Sequence, residues 1–310
     1  MRYISFQEAD SLLSWTMIAD ALQEGHKLPK AEIGDLLLQQ PPNALLSRGA
    51  WIPGLGMALK SMSVFPDNTR LDPPLPSIHG GVLLFDDDVG HLISVIDGIL
   101  VTKWKTAGDS VLGARLLANP NPKTHLMVGA GTVAASIIDA YHEVFPTIER
   151  FMIWNRTPEK ANRLAEEKTS ANLSIEVVPQ LADACAEADI ITAATMSVDP
   201  ILQGQHIKPG THVDLIGAFK PNMREADDAL ISKATLFVDS RDTTIGHIGE
   251  IEIPLKNGII SQTDLLGDLY DLCGDRTGRK TEDEVTLFKN GGGAHLDLMT
   301  SRKIFQAVTP

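Results

Sequence analysis

HLMVGAGTVAAS, residues 125–136, is an apolar run that breaks on G-A-G and resumes with helix-forming residues. An apolar run without polar alternation predicts a strand covered on both faces. Gly129 allows a tight turn, and Gly131 lets the backbone approach a pyrophosphate. Ala134 stands where a third small residue packs helix against strand. The helix start supplies unpaired N–H groups and a dipole that favours negative charge. A string of this kind is weak evidence alone. A strand before it and a helix after it are the context that marks a dinucleotide-binding turn, against the alternative of a structural glycine turn.

Downstream the alternation continues. The segments RFMIWNR, SIEVV, DIITAAT, HVDLIG and TLFVDS are strand-like, and TPEKANRLAEEKTS, PQLADACAEA and ADDALISKA are helical. Alternating strands and helices predict an α/β fold, a Rossmann-type doubly wound parallel sheet. The second strand ends in Asn155, Arg156 and Thr157. An acidic residue there would bind a ribose 2′-hydroxyl, whereas arginine suits a 2′-phosphate. NADP(H) is therefore favoured, with NAD(H) as the alternative. The plainer roles, a solvated Arg156 and Thr157 capping a helix before Pro158, are compatible with either.

Upstream, ANPNPK (118–123) is a break between two patterns. Residues 6–24 carry helical periodicity, and AWIPG, MALKSMSVF, SIHGGVLLF and HLISVID are extended. DDDVG between the last two is a hairpin loop, since it lacks the alternating oxygen ligands of a calcium loop. Residues 101–118 predict a helix, and 286–308 end in another. The chain of 310 residues thus holds a Rossmann domain at 120–285. It interrupts a smaller α+β domain built from 1–119 and 286–310.

The net charge of −13 and the 5% aromatic content argue against a nucleic-acid partner. Two cysteines, Cys185 and Cys273, make neither a disulfide framework nor a zinc site, and no metal site is expected. The first residues lack a secretory pattern, and no apolar run has the length of a membrane span. The expectation is a soluble cytoplasmic protein without membrane contact.

Several segments, in order, resemble the ornithine cyclodeaminase/μ-crystallin family. They are LKSMSVFPDN (59–68), LPSIHGGVLLFDDDVG (75–90), IDGILVTKWKTA (96–107), the MVGAG loop, ADIITAAT (188–195), THVDLIGAFKPNMRE (211–225) and FKNGGGAHLDL (288–298). The resemblance spans roughly residues 35–300. It implies NAD(P)-dependent chemistry on amino and imino acids, and a homodimer whose first domain is completed by the C-terminal helix. The WNRT and WKTA variants look similar to a bacterial ketimine reductase branch, acting on Δ1-pyrroline-2-carboxylate. The cofactor set it implies, with the loop, is Gly129, Ala130, Gly131, Thr132, Val133, Asn155, Arg156, Thr157 and Thr195.

On the substrate side, Lys60 lies mid-strand in an apolar run. An unpaired buried ammonium is expensive. It is either an edge lysine facing water or a carboxylate anchor, and the resemblance selects the anchor. Lys105 stands where the family usually has arginine. A lysine offers a point charge rather than a bidentate fork, and it can also carry a proton. Lys103, two residues away, faces another side of the helix. Ser77 matches a substrate-contacting threonine, or is a loop serine capping its own turn. Arg48 is a second carboxylate contact unless Asn43 holds that position. His79 is expected to be a packed or loop histidine, and Lys289 a solvated helix-start lysine.

Phe219 occupies the place of the cyclodeaminases' aspartate, and phenylalanine takes no proton. Asp227 and Asp228 are helix-start charges. Reduction of a cyclic 2-carboxy-imine therefore leads, with Lys60 and Lys105 as catalytic residues and Arg48 and Ser77 binding substrate. The alternatives are an amino-acid dehydrogenase or ornithine cyclodeaminase on the same scaffold, and a non-catalytic NADP(H)-binding protein. A shikimate-dehydrogenase-like enzyme shares the GAG and NRT signals but lacks support upstream.

Overall fold

The computed structural model describes residues 1–309. It has two compact units: Met1–Thr106 with the chain from Gly293, and Ala107–Gly292.

The second unit is built on eight parallel strands. They are β7 (Thr124–Val128), β8 (Arg150–Trp154), β9 (Ile175–Val177), β10 (Ile190–Ala193), β11 (His212–Leu215), β12 (Thr235–Val238), β13 (Leu265–Gly267) and β14 (Thr286–Lys289). The first six strands of the chain, in the other unit, take the labels β1 to β6 below. The order across the sheet is β13-β12-β14-β11-β10-β7-β8-β9. The expected doubly wound sheet is present, and each strand read from the sequence after residue 120 has its counterpart. β13 and β14 were not anticipated. Both are short, and β14 runs into the glycines 291–293, which hide its pattern. Leu126, Val128, Ile191, Val213, Leu215 and Leu287 form the core on one side of the sheet.

The first unit holds β1 (Arg2–Ile4), β2 (Glu32–Gln40), β3 (Asn43–Ile52), β4 (Gly56–Val64), β5 (Ile78–Phe85) and β6 (Leu92–Asp97), in the order β1-β6-β5-β4-β3-β2. Strands β2 to β6 form an antiparallel meander, and β1 joins β6 in parallel. The DDDVG loop is the hairpin turn expected: Asp86 accepts the N–H groups of Asp88, Val89 and His91. The single helix read at 6–24 is two, α1 (Phe6–Ala9) and α2 (Trp15–Gly25). Ser14 breaks it, because its hydroxyl accepts the Met17 N–H and caps α2. β2 and most of β3 escaped the sequence, since EIGDLLLQQ has three consecutive leucines and no alternation.

Helix α3 (Gly98–Leu117) starts in the first unit, and its residues from Ala107 belong to the second. The unit boundaries therefore fall at 106/107 and 292/293, not at the 119/120 and 285/286 expected from the prolines. The reason is packing. A Cβ on Gly113 would lie 2.5 Å from the Phe288 ring, so only glycine lets this part of α3 meet β14. Ser110 and Tyr141 also hydrogen-bond Asp214, whose carboxyl burial pushes up to about 6. Chain from Ala294 to Val308 forms the last helix of the first unit.

His125 on β7 is fully buried, and burial pulls its imidazole down to about 3. It is neutral in the fold and has an ordinary pKa when unfolded. Its contribution is present above about pH 6.5 and lost as pH falls toward 3. Acidification from pH 7 to 4 should therefore lower the unfolding free energy of the wild type by on the order of 3 kcal/mol more than that of His125→Asn. Urea titrations at both pH values measure this; equal losses would refute it.

Candidate functional site

The chain leaves β7 at Gly129 with φ +117°, and a Cβ there would lie 2.7 Å from the Ala194 carbonyl oxygen. Glycine is thus required twice, by the backbone angle and by the neighbour. Its N–H donates to the Trp154 carbonyl at 2.8 Å, which ties the turn to the end of β8. Gly131 caps α4 (Thr132–Val144) without any side-chain hydrogen bond, and nothing lies within 4 Å of where its Cβ would be. Open backbone at an uncapped helix start fits a pyrophosphate.

A cleft of about 280 Å³ opens there. The expected cofactor residues line it, except Thr132 and Val133, which head α4. Asn155 pins its loop by donating to the Thr157 carbonyl at 2.8 Å. Arg156 is exposed at the rim, and Lys160 lines the same cleft one turn into α5 (Pro158–Lys168). Lys160 went unread, although its i+4 spacing from Arg156 was the available signal. No carboxylate side chain lines this cleft among the described residues.

Thr195, after β10, gives both its N–H and its hydroxyl to Glu225 Oε1, at 2.7 and 2.8 Å. Glu225 Oε2 accepts from the N–H groups of Gly217 and Ala218, at 2.6 and 3.3 Å. Burial pushes the Glu225 carboxyl up to about 7. Lys289 is not the solvated lysine expected. It ends β14 fully buried, donates to the Leu215 carbonyl at 2.9 Å, and feels the charges of Glu225, Glu250, Asp239 and Asp214. Sequence hid this because β14 was not recognised as a central strand. Burial lowers the Lys289 pKa, and those carboxylates oppose the shift.

In the first unit, the β3–β4 register sets Arg48 directly opposite Lys60. Lys60 is 9% exposed and shares the covered face of β4 with Ala58 and Met62. Its ammonium donates to Thr102 Oγ1 at 2.8 Å and to Asp297 Oδ1 at 3.0 Å, the latter on α11 (Ala294–Val308). Burial pulls its pKa down, Asp297 opposes this, and the charges of Lys105 and Arg48 add to the fall. Lys60 is thus no edge lysine in water. Arg48 is held by Asp35 at 2.9 Å, while Asn43 sits at the start of β3 opposite Gln40. Arg48, not Asn43, stands beside Lys60.

Lys105 is half-buried on α3 and carries no hydrogen bond or ion pair among the described residues. Lys103 is committed elsewhere: it pairs with Asp10 at 2.7 Å and lies 5.1 Å above the Trp104 ring. His295 on α11 is fully buried, and its pKa falls through burial, with Lys105 and Arg48 contributing. It was not anticipated. Ser77 is not brought to this cluster. It precedes β5, five residues along from Val82, which pairs with Lys60; at the strand rise that is about 17 Å. His79 is exposed on β5, neither packed nor in a loop as expected.

Phe219 is 52% exposed after β11, with the Lys220 ammonium 5.3 Å from its ring. Asp227 caps α7 (Asp228–Lys233) by accepting the Leu230 N–H, and Asp228 pairs with Arg224 at 2.8 Å. Both are helix-start charges. No cluster of potential metal ligands occurs among the described residues, and no helix there is long and apolar enough to cross a membrane.

Over 306 residues the chain is 50% identical to a Δ(1)-pyrroline-2-carboxylate reductase of Paracoccus denitrificans, covering 98% of this chain and 96% of that protein. A solved Δ(1)-pyrroline-2-carboxylate reductase of Thermococcus litoralis, in complex with NADH and L-proline, superposes with a TM-score of 0.90. It is 26% identical and covers 99% of this chain and 97% of that one. The iminosuccinate reductase of Paracoccus denitrificans, in complex with NAD+, also gives 0.90, at 27% identity over 98% and 95%. The sequence profile of the ornithine cyclodeaminase/mu-crystallin family matches residues 54–309, and the chain belongs to that family.

Proposed function

We propose that the protein is an NAD(P)H-dependent reductase of cyclic 2-carboxy-imines. It reduces Δ1-pyrroline-2-carboxylate to L-proline, and the six-membered Δ1-piperideine-2-carboxylate to L-pipecolate. The carrying observation is the charge count around Lys60. Lys60, Arg48 and Lys105 supply three cations, while Asp297 and Asp35 supply two carboxylates. Positive charge is in excess around Lys60, which suits a substrate carrying a carboxylate. The 50% identity to the Paracoccus reductase supports the same substrate class.

Two of the Lys60 N–H donors are taken by Thr102 and Asp297, so the third is available to a substrate carboxylate oxygen. Lys105, without a partner, makes the second contact, with Arg48 adjoining. Asp297 opposes the effect of burial on Lys60 and offsets the positive charge of a protonated imine nitrogen. Holding the carboxylate orients the C=N carbon, and positioning of this kind supplies a large part of a rate enhancement. A bound nicotinamide supplies the hydride. Phe219 offers no base for deamination, which sets the cyclodeaminase alternative aside.

The cofactor is a nicotinamide dinucleotide held at the second unit. Arg156 and Lys160, with no carboxylate lining the cleft, favour the 2′-phosphate of NADP(H). The two solved relatives hold NADH and NAD+, so this preference would belong to the loop of this chain. The first unit is the substrate-binding and dimerisation unit. Leu36, Leu38 and Leu45 share one face of β2 and β3, all at least 37% exposed, and a second copy of the chain would cover them. The buried free thiols of Cys185 and Cys273 accord with a reducing cytoplasm.

Purified protein should oxidise NADPH with Δ1-pyrroline-2-carboxylate, and Lys60→Ala should lower kcat/KM by about 100-fold or more, the scale of a lost buried charge contact. No turnover with any cyclic or acyclic imine would sink the reductase; ammonia release from ornithine would favour the cyclodeaminase. Arg156→Ala and Lys160→Ala should each weaken NADPH binding by about tenfold and leave NADH within about twofold. Equal losses for both cofactors would remove the 2′-phosphate contact. Light scattering should give twice the chain mass of 33.5 kDa, and Leu36→Lys with Leu38→Lys should give one chain mass. A monomeric wild type would refute the dimer.

A further inference from the structure

The geometry points to Glu225 as a positioning residue that fixes the Thr195 hydroxyl as a hydrogen-bond acceptor toward the bound dinucleotide. This rests on the cleft at Gly129–Gly131 being the dinucleotide site. Glu225 is fully buried and lines no part of that cleft, so it acts through another residue. Its four donors come from two loops only. Thr195 gives N–H and O–H to Oε1, and Gly217 and Ala218 give their N–H groups to Oε2. One carboxylate therefore ties the end of β10 to the end of β11. The loops touch: a Cβ on Gly217 would lie 2.0 Å from the Thr195 carbonyl oxygen and 2.3 Å from its nitrogen.

A hydroxyl has one proton and two lone pairs. Thr195 has given its proton to Glu225, so it offers a ligand only lone pairs. The group it meets must then be a donor, a ribose hydroxyl or a carboxamide N–H. A phosphate oxygen, which only accepts, is turned away. This sets which part of the dinucleotide lies at Thr195, and so its register along the cleft. The groups facing Glu225 are Lys289 from β14, which favours its charged form, and Glu250, which opposes it. Glu250 in turn accepts the N–H groups of Glu225 and Ala226, at 2.7 and 3.0 Å, and holds the Glu225 backbone in place.

The test is direct NADPH and NADH binding to the full-length protein, in wild type, Thr195→Ser, Thr195→Val, Glu225→Gln and the double variant Glu225→Gln/Thr195→Val. Thr195→Val should weaken binding by about fivefold or more, the scale of one hydrogen bond, and Thr195→Ser should stay within about twofold of wild type. Glu225→Gln should lose a similar factor, and the double variant no more than the weaker single, because both remove one contact. The Kd ratio of Glu225→Gln to wild type should be largest at pH 8 and fall toward one at pH 5.5. Protonated Glu225 offers Thr195 a donor, as the glutamine does, and the ratio cancels the ligand's own titration. Should Glu225→Gln fail to fold, the Thr195→Val and Thr195→Ser pair decides. Wild-type affinity in Thr195→Val, losses that multiply in the double variant, or a ratio flat with pH would overturn the inference. Wild type failing to bind either dinucleotide would instead overturn the cleft assignment.

Discussion

The ion pair of Lys60 with Asp297 joins residues 237 positions apart and ties β4 to α11 within the first unit. An ammonium in a covered strand face is stable only with a carboxylate at hand. Removing one partner of such a pair typically costs about 3–5 kcal/mol. Here the carboxylate comes from the last helix, after the chain has built the whole second unit. The discontinuity of the first unit and the charge state of its central cation are therefore one fact. Thr102 adds the second acceptor from α3, so three elements converge on one nitrogen.

The second unit solves the same problem with the opposite stoichiometry. Around Lys60, cations outnumber carboxylates. Around Lys289, four carboxylates feel one lysine. The first arrangement leaves positive charge that an anionic ligand can satisfy. The second is closed on itself, with each carboxylate also accepting backbone or hydroxyl donors. Such a network is a strut rather than a binding site, and it stiffens the loops at the ends of β10, β11 and β14. A protein of net charge −13 can thus bind anions, because its positive charge is placed where no carboxylate remains to cancel it.

The Rossmann sheet and its cleft were legible because both signals are local. The G-A-G turn, the strand before it and the helix after it lie within twelve residues, and Arg156 follows at the next strand end. Lys60 and Lys105 were singled out by their motifs, and the fold brings their charges within reach of each other. Asp297, Glu225 and Lys289 were not, since each owes its role to a partner far along the chain. Glu225 sits in NMREADD, which looks like a surface charge run until β11 and α9 (Gly249–Lys256) enclose it. A motif match carries no distance: the β4–β5 register sets Ser77 along the sheet away from Lys60.

Phe219 separates the chemistries that this scaffold supports. Oxidative deamination with ring closure needs a base or water-activating group beside the reacting carbon. Reduction of a preformed imine needs only a held carboxylate, a proton on nitrogen and a hydride donor. The loop after β11 offers a half-exposed ring with Lys220 against it, and its nearest aspartates are spent on capping α7 and on Arg224. No carboxylate in that loop is left to serve as a base. What remains is the less demanding reaction, which asks of the protein a held carboxylate and of the cofactor a hydride.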